Sequence, residues 1–482
     1  MTPKRKKEKN RVLLCGAGEA GRMIAREILN NPRSQYVCVG FLDDDPDKQG
    51  WELEGAPVLG PLIDLPQYVE EYEVDEVLLT IPSASGATIR HLAQLCDRAD
   101  VPYRVLPSMF DVIHGDAKLT QVRDVRVEDL LRREPIRLDM GAIRHYVTDE
   151  TVLVTGAGGS IGAELCRQLI TFNPARLVLL GHGENPIFEI HNELQRRKPR
   201  GNLVGAIVDL RDKRRLARVL EVHRPGVIFH AAAHKHVPLM EDNPCEAFSN
   251  NVGSMLALAE LAPRHGVERV VVISTDKAVE SSNAMGSSKA VCEVIARLAD
   301  DNSDGCRFIS VRFGNVLGSR GSVIGVFQEQ IERGGPITVT DPRMERFFMT
   351  IPEAVELVLQ AAALGEGGEV FVLDMGQPLR IIDLAKMLVE LSGYDNGEIP
   401  IEITGPRPGE KLQERLFSLS EERLPSPHPQ LLIARSNGVH AELWELIEQI
   451  YQAAENLETE RIVELVARVC PESSWKPGEG AF

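Results

Sequence analysis

Short apolar runs alternate with longer stretches of helical periodicity along most of the chain. Near the amino terminus, RVLLCGAG (residues 11–18) joins an apolar strand to glycines, and the helical stretch EAGRMIAREIL follows it. YVCVGFLDDD and DEVLLTIPS supply two further apolar strands. Strands that alternate with helices in this way predict a parallel α/β sheet over residues 11–105.

The same pattern restarts, more strongly, after residue 145. TVLVTGAGGSIGAELCRQLI opens the second series, and five more apolar strands follow, which are RLVLLG, NLVGAIVDL, GVIFHAAA, RVVVIST and RFISVRFGNVLG. With helices between them, these strands complete a doubly wound sheet. The chain is therefore predicted to be an α/β protein with two Rossmann-like doubly wound parallel-sheet modules in series.

The segments outside the two modules have other patterns. Residues 106–145 are mixed and punctuated by Pro107 and Pro135, which is typical of a connector. Residues 436–482 show helical periodicity on both sides of Asn456 and predict a helical segment that packs on the body or on a partner. The predicted organisation is a basic tail (1–10), the first module (11–105), the connector (106–145), the second module (146–435) and the helical segment (436–482).

The first module has a glycine-rich turn of moderate specificity. Gly16, Gly18 and Gly21 match GxGxxG between a strand and a helix, and Asp43 falls near the position of a ribose-binding acid. Two interpretations stay open for this module, a working dinucleotide site and a Rossmann-like domain without a catalytic role.

The glycine-rich turn of the second module predicts a dinucleotide site more firmly. Gly156, Gly159 and Gly162 have a GxxGxxG spacing directly after an apolar strand. Glycines there let the backbone approach a pyrophosphate, and the helix that follows offers free N–H groups at its N-terminus.

Composition narrows the class of protein. The net charge of -17 argues against general binding of nucleic acid, because phosphate backbones select basic surfaces. No apolar run approaches 18 residues, so no transmembrane segment is predicted. Eight scattered cysteines without a CxxC pair fit free thiols in a reducing cytoplasm and predict no metal site. The basic run MTPKRKKEKNR is either a solvated tail or a weak contact to anionic lipid headgroups.

Several motifs stand in a fixed order between residues 155 and 412, which are TGAGGSIG, AAAHKHVPLME, NNVGS, STDKAV, MGSSK, RFGNVLGSRGSV, TDPRMERFFMT and RPGEKL. In these motifs the chain resembles the extended short-chain dehydrogenase/reductase superfamily. Within it, the chain resembles the nucleotide-sugar 4,6-dehydratases of bacterial polysaccharide biosynthesis, the CapD-like proteins. The resemblance covers nearly the whole chain, because that family also carries an N-terminal Rossmann-like module.

The resemblance implies a function and a setting. It implies a UDP-N-acetylglucosamine 4,6-dehydratase, a lyase that removes water without net redox change, with a small C-terminal substrate-binding part in the second module. The cofactor would be NAD, with NADP as the alternative, and a cytoplasmic homo-oligomer is expected. Many relatives carry transmembrane helices before the first module; this chain lacks them, which implies a soluble or truncated form.

The resemblance also implies catalytic residues. Asp276 would be the acid at sugar C6, Lys277 the base at C5, and Thr275 would bind near the C4 hydroxyl. Met285 stands where most of the superfamily has Tyr, and Lys289, one turn later on the same helix face, would bind the nicotinamide ribose. Met285 shapes the pocket but carries no proton, so Thr275, Asp276 and a bound water stay open as acceptors of the C4 hydroxyl proton.

Binding residues follow from the same resemblance. The implied cofactor-binding residues are Gly156, Gly159, Ser160, Ile161, Gly162, Glu184, Asp209, Leu210 and Lys289. The implied substrate-binding residues are Lys235, His236, Asn315, Arg346, Arg407 and Glu410. Arginine suits a diphosphate because its planar fork binds phosphate oxygens in pairs.

Three departures from the family pattern bear on specificity. Gly181 stands where an acid often holds the adenosine ribose, and Glu184 nearby without an adjoining arginine favours NAD over NADP. Glu280 and Ser281 replace the usual Asn-Pro, and Glu345 stands where Thr is common, so the fine substrate specificity stays open. A nucleotide-sugar epimerase and a catalytically silent scaffold are the two rival interpretations.

Overall fold

The structure is a computed structural model that describes residues 9–31, 34–106, 122–126, 129, 136, 138–197, 199–395, 397–436, 438 and 440–478. The chain divides into two compact units, Met1–Pro135 and Ile136–Phe482. Most of the predicted basic tail and most of the predicted connector lie outside the described residues.

The first unit is built on a six-stranded sheet with the order β3-β4-β2-β1-β5-β6. Its strands are β1 (Asn10–Cys15), β2 (Tyr36–Leu42), β3 (Glu52–Leu53), β4 (Ala56–Gly60), β5 (Glu76–Leu79) and β6 (Tyr103–Val105), and its helices are α1 (Glu19–Asn30), α2 (Leu65–Glu71) and α3 (Gly86–Arg98). All neighbouring strands are parallel except β3 and β4. The apolar positions of β1 and of one face of α1, such as Leu14 and Ile24, are fully buried against each other. The predicted Rossmann-like architecture of this unit is confirmed.

The second unit contains a nine-stranded sheet with the order β20-β21-β17-β12-β11-β10-β7-β8-β9. Its strands are β7 (Thr151–Thr155), β8 (Arg176–Gly181), β9 (Asn202–Ile207), β10 (Val227–His230), β11 (Arg269–Ile273), β12 (Arg307–Arg312), β17 (Val370–Leu373), β20 (Glu422–Pro425) and β21 (Leu431–Arg435). The strands from β9 to β17 are parallel, and β21 and β20 close one edge in antiparallel pairing. Strand order reverses between β7 and β10, which is where parallel sheets of this kind bind ligands.

Helices cover both faces of this sheet. The described helices of this unit are α4 (Met140–Val147), α5 (Ser160–Leu169), α6 (Glu184–Arg196), α7 (Lys213–His223), α8 (Val237–Asp242), α9 (Pro244–Arg264), α10 (Ala284–Asp301), α11 (Val323–Glu332), α12 (Ile351–Leu364), α13 (Ile381–Leu391), α14 (Leu443–Glu455) and α15 (Thr459–Val469), of which α11 and α13 lie beyond the main sheet. Successive side chains of a strand point to opposite faces, so Leu153 packs into one helical layer and Val152 and Val154 into the other. The strands are apolar on both sides because both sides are buried.

Three small strand pairs lie beyond the main sheet: β13 (Asn315–Leu317) with β16 (Phe348–Thr350), β14 (Ile337–Val339) with β19 (Ile401–Ile403), and β15 (Glu345–Arg346) with β18 (Leu379–Arg380). Together with α11 and α13 they form a compact part next to the carboxyl ends of β11 and β12. None of the described helices combines the length and hydropathy that crossing a bilayer requires.

The second unit extends beyond both predicted boundaries. It begins at Ile136 instead of 146, because Ile143, Tyr146 and Val147 of α4 form an apolar face that packs into the core. The Tyr146 hydroxyl also donates a 2.9 Å hydrogen bond to the Leu359 carbonyl. At the other end, α14 and α15 bury apolar residues such as Ile450 in the same core as α9 and α10.

Candidate functional site

A cavity of about 650 Å³ opens at the carboxyl ends of β7, β10, β11 and β12. It brings together most of the residues singled out in the sequence. Those that line it are Gly159, Ser160, Ile161, Gly162, Lys235, His236, Thr275, Lys277, Met285, Lys289, Asn315, Arg346, Arg407 and Glu410. Gly156, Glu184, Asp209, Leu210 and Asp276 are not part of its wall.

The glycine-rich turn after β7 leaves no space for side chains. Gly156 has φ +64°, and a Cβ on it would lie 2.7 Å from the Ala232 nitrogen. A Cβ on Gly162 would lie 2.1 Å from the Gly156 carbonyl oxygen. The turn therefore brings the backbone and the N-terminus of α5 to the cavity, which is the cradle that a dinucleotide pyrophosphate needs.

Arg320 lies against this turn and was not singled out from the sequence, although the RFGNVLGSRGSV motif contains it. Its backbone N–H donates to Ser160 Oγ (3.1 Å), and its guanidinium donates to the Gly158 carbonyl (3.3 Å) and to Glu189 (3.1 Å). A cation therefore lines the cavity beside the turn.

The residues predicted for the adenosine end of a cofactor are in mixed environments. Glu184 is exposed at the first position of α6, and the Leu210 side chain is buried in the core. The Asp209 carboxylate accepts from the Arg211 guanidinium at 2.8 Å, and this hydrogen bond lowers the pKa of Asp209. Arg211, in the turn that follows β9, is thus close to Asp209, although no arginine adjoins Glu184 in the sequence.

A small polar cluster stands at the end of β11. Lys277 Nζ donates to Asp276 Oδ1 and to Asn315 Oδ1, both at 2.9 Å. Thr275 Oγ1 donates to the same Asp276 oxygen at 3.0 Å. The side chain of Asp276 is fully buried and that of Lys277 is 17% exposed, so the two do not form a surface ion pair.

Asp276 lies behind the wall of the cavity, not in it. Among the described residues no group donates a hydrogen bond to Asp276 Oδ2. Gly314 lies between this oxygen and the cavity: it lines the cavity, and a Cβ on it would lie 3.3 Å from Oδ2. The missing side chain of Gly314 therefore leaves Oδ2 close to the open space.

Met285 and Lys289 occupy the first turns of α10, where both are almost completely buried but still line the cavity. The Asn283 side chain caps the helix by accepting from the Gly286 N–H at 2.7 Å. Burial, with a smaller contribution from the charge of Lys289, lowers the pKa of His230 to about 3. Its ring Nδ1 lies 2.9 Å from Thr155 Oγ1. Lys289 is thus not a solvated surface lysine.

A buried ion network fixes the strand end that carries this cluster. Ser274 donates to Glu293, and Arg312 bridges Glu293 (2.7 Å) and Glu421 (2.8 Å) with only 3% of its side chain exposed. The sequence did not predict this network, because Glu421 lies far along the chain from the three other residues.

Arg346 is positioned by backbone carbonyl groups. Its guanidinium donates to the carbonyls of Glu345 (2.7 Å), Lys411 (2.8 Å) and Leu412 (3.2 Å). A guanidinium has five N–H donors, so donors remain for an anion in the cavity.

The RPGEKL turn is held against the loop that precedes α10. Glu410 accepts from the Arg407 N–H at 3.2 Å, which shapes the turn and leaves the Arg407 side chain exposed at the cavity. The Gly409 carbonyl accepts from Ser282 (2.9 Å) and Asn283 (3.1 Å).

Lys235 and His236 also line the cavity. Lys235 Nζ lies 3.3 Å from Ser319 Oγ. Burial lowers the pKa of Lys235, and burial together with the nearby Lys235 and His234 lowers that of His236. The lowered pKa favours the neutral form of the His236 ring.

The glycine-rich turn of the first unit is arranged differently. Gly16 has φ +111°, as such a turn requires. The Asp43 carboxylate, however, accepts from the Ala17 N–H (2.8 Å) and the Asp45 N–H (3.0 Å) and pairs with Lys48 (3.3 Å). Asp43, the acid predicted for a ribose, thus forms hydrogen bonds and an ion pair within its own turn.

The strand order and the glycine turn of the second unit define an extended short-chain dehydrogenase/reductase fold. Residues 152–436 match the family model of a polysaccharide biosynthesis protein, and residues 3–107 match that of a CoA-binding domain. The chain is 46% identical over 427 residues to the capsular polysaccharide biosynthesis protein CapD of Staphylococcus aureus, covering 88% of this chain and 70% of that one. The chain belongs to this polysaccharide biosynthesis family.

Two further similar proteins match a smaller share of the chain. A UDP-glucose 4-epimerase of Rickettsia felis is 38% identical over 280 residues, which is 57% of this chain and 79% of the epimerase. The solved structure of Pen from Bacillus thuringiensis is 32% identical, with a TM-score of 0.56, and covers 61% of this chain and 90% of its own.

Proposed function

We propose that the protein is a UDP-N-acetylglucosamine 4,6-dehydratase that uses NAD. The observation that carries the proposal is the buried pair of Asp276 and Lys277, held by Thr275 and Asn315 beside a cavity that also contains Lys289. Loss of water from a sugar needs one base and one acid close together, and an adjacent Asp and Lys offer both.

The cavity fits a dinucleotide on the side of the glycine turn. Gly156 and Gly162 hold the backbone where a Cβ would clash, so the N–H groups of α5 are available to a pyrophosphate. Lys289 is the buried cation at which the nicotinamide ribose would bind. The chemistry that NAD supplies when bound is reversible hydride transfer, with a hydride taken from sugar C4 and returned to C6.

The pair of Asp276 and Lys277 suggests how one proton serves two steps. In the ionic form Lys277 has no free electron pair and Asp276 has no proton to give. Transfer of one proton across the 2.9 Å hydrogen bond produces a neutral amine and a neutral carboxylic acid. The neutral Lys277 can then take the C5 proton, and Asp276 can give its proton to the leaving C6 hydroxyl.

Proton transfer within the pair leaves neither partner as an unpaired buried charge, because the two groups are neutralised together. The transferred proton arrives on Asp276 Oδ1, and a half-turn of the carboxyl group about its Cβ–Cγ bond places it at the position of Oδ2, which has no donor among the described residues. Met285 cannot take part in proton transfer, so the acceptor for the C4 hydroxyl proton has to be Thr275, Asp276 or a water.

The nucleotide part of the substrate would lie at the basic walls. Arg346 is held ready by three carbonyls and Arg407 lines the opening, so both suit a diphosphate. Asn315, Lys235 and His236 would contact the sugar. The RPGEKL turn, attached to the loop before α10, would then connect nucleotide binding to the catalytic helix.

The test is product analysis. We expect the purified protein to convert UDP-N-acetylglucosamine into a product lighter by one water, without net consumption of NAD, and with deuterium at C5 when the reaction runs in D₂O. Unchanged mass with altered stereochemistry would instead establish the epimerase that the rickettsial relative favours. Unchanged substrate across UDP-N-acetylglucosamine, other UDP-sugars and dTDP-glucose would refute the dehydratase.

A further inference from the structure

The chain returns to the catalytic helix after its last helix. Residues 470–475, which we call the C-terminal hook, lie against the loop of residues 278–284 that precedes α10. Ser473 Oγ lies 3.0 Å from Ser281 Oγ and 3.1 Å from Ser287 Oγ. The Ser474 N–H donates to the Ser281 carbonyl at 2.8 Å. The hook therefore binds both the loop and the first turn of the helix.

An aromatic anchor holds the hook in place. Trp475 is only 4% exposed and stacks on Phe248 of α9, with ring centroids 5.4 Å apart and planes inclined by 29°. Phe248 is itself fully buried in the core. Because Trp475 packs into the core two residues after Ser473, the core of the unit fixes the position of Ser473.

The same loop is held on its other side by the RPGEKL turn. Lys411 Nζ donates to the Val279 carbonyl at 2.7 Å, and the Gly409 carbonyl accepts from Ser282 and Asn283. The loop is therefore fixed between a predicted substrate-binding turn and the hook.

Movement of the loop is coupled to the catalytic residues by close packing. A Cβ on Gly286 would lie 2.2 Å from the Lys277 carbonyl oxygen, so the start of α10 rests directly on the backbone of Lys277. Met285 precedes Gly286, and Lys289 follows one turn later. A shift of the loop would move both sides of the site.

We propose that the C-terminal hook is a positioning element that fixes the loop before α10, and with it Lys277, Met285 and Lys289, through the hydroxyl groups of Ser473, Ser281 and Ser287. The consequence for catalysis rests on the proposed function, whereas the fixing of the loop does not.

The first test measures the loop directly by amide hydrogen exchange of the full chain. We expect Ser473→Ala to speed exchange at residues 281–288 by roughly fivefold, because a typical hydrogen bond contributes about 1 kcal/mol. Ser473→Thr keeps the hydroxyl and should restore slow exchange. Ser303→Ala is the matched control, because it removes a hydroxyl bonded to the Cys306 carbonyl after the opposite end of α10. Unchanged exchange at 281–288, or equal acceleration throughout the unit, would overturn the proposal.

The second test measures turnover. With UDP-N-acetylglucosamine we expect Ser473→Ala to lower kcat about fivefold and to leave KM within about twofold, since misplaced catalytic groups slow chemistry more than they weaken binding. A rise in KM with unchanged kcat would overturn the positioning role. If the wild type converts no nucleotide sugar, the proposed function fails, and the exchange experiment still decides whether the hook fixes the loop.

Discussion

Replacing Asp276 by Asn separates acid catalysis from binding. The amide keeps an oxygen that can accept from Thr275 and Lys277, as Oδ1 does now at 3.0 Å and 2.9 Å. It replaces the unpartnered Oδ2 by an NH₂ group of nearly the same size. The variant therefore keeps the shape of the cluster and loses the proton that the leaving hydroxyl requires.

The structure sets the expected magnitudes. A positioned general acid contributes about 10²–10⁴-fold, and kcat should fall by that factor. KM should change by less than about threefold, because Asp276 does not line the cavity. The free energy of unfolding should fall by about 3 kcal/mol, which is the lower end of the range for breaking a buried ion pair. The loss is at this lower end because Lys277 keeps Asn315 as a partner and is 17% exposed.

The assay follows loss of water from UDP-N-acetylglucosamine by mass spectrometry over a range of substrate concentrations. Asp300→Asn is the matched control, because this half-buried carboxylate accepts from the Phe308 N–H at 2.8 Å and lies outside the cavity wall. Its kcat should stay near that of the wild type. A turnover of Asp276→Asn within tenfold of the wild type would refute the acid role, and a rise in KM that accounts for the whole loss would assign Asp276 to binding.

Two other variants test the surroundings of the cluster. Gly314→Ala should lower kcat at least about tenfold, because the new Cβ would lie 2.8 Å from Phe347 Cβ and 3.3 Å from Asp276 Oδ2. Gly325→Ala is the control and should leave kcat unchanged, because its new Cβ would meet nothing within 4 Å. Equal activity of the two variants would contradict the argument that a side chain at residue 314 crowds Asp276. The folded pKa of His230, about 3, lies below its ordinary 6.5, so the unfolded chain takes up the proton first as the pH falls. The free energy of unfolding that neutral His230 contributes above pH 6.5 is therefore lost progressively down to about pH 3, by up to about 1.4 kcal/mol per pH unit. When the free energy of unfolding is measured in urea at each pH, His230→Gln should lack this contribution to the pH dependence. If the free energy of unfolding had the same pH dependence in the wild type and in His230→Gln, this role of His230 would be refuted.

The periodicity of apolar residues predicted both sheets, because a strand buried on two faces needs continuous apolar residues and leaves few alternatives. It missed β17, β20 and β21, which complete one edge of the second sheet. Of these strands, β20, Glu422–Pro425, is half polar, so pairing with β21 and not local pattern creates it.

The glycine turn and the order of motifs indicated which residues would meet, since the carboxyl ends of neighbouring parallel strands share one edge of a sheet. Thr275, Lys277, Met285 and Lys289 are all found in the wall of one cavity. What the sequence left undecided was the depth of each side chain. Asp276 is adjacent to Lys277 in the chain, yet it lies behind the wall while its neighbour lines it.

The sequence by itself determined the two α/β modules and the glycine turn, because these depend on local periodicity and on conformations that glycine alone adopts readily. Only the tertiary structure decided that Arg320 lies on the glycine turn, that Glu421 joins Glu293 and Arg312, and that Ser473 binds Ser281. Such contacts join residues far apart in the chain. Their formation depends on which surfaces the packed core brings together. The pattern of residues along the chain carries no information about which distant residues become neighbours in space.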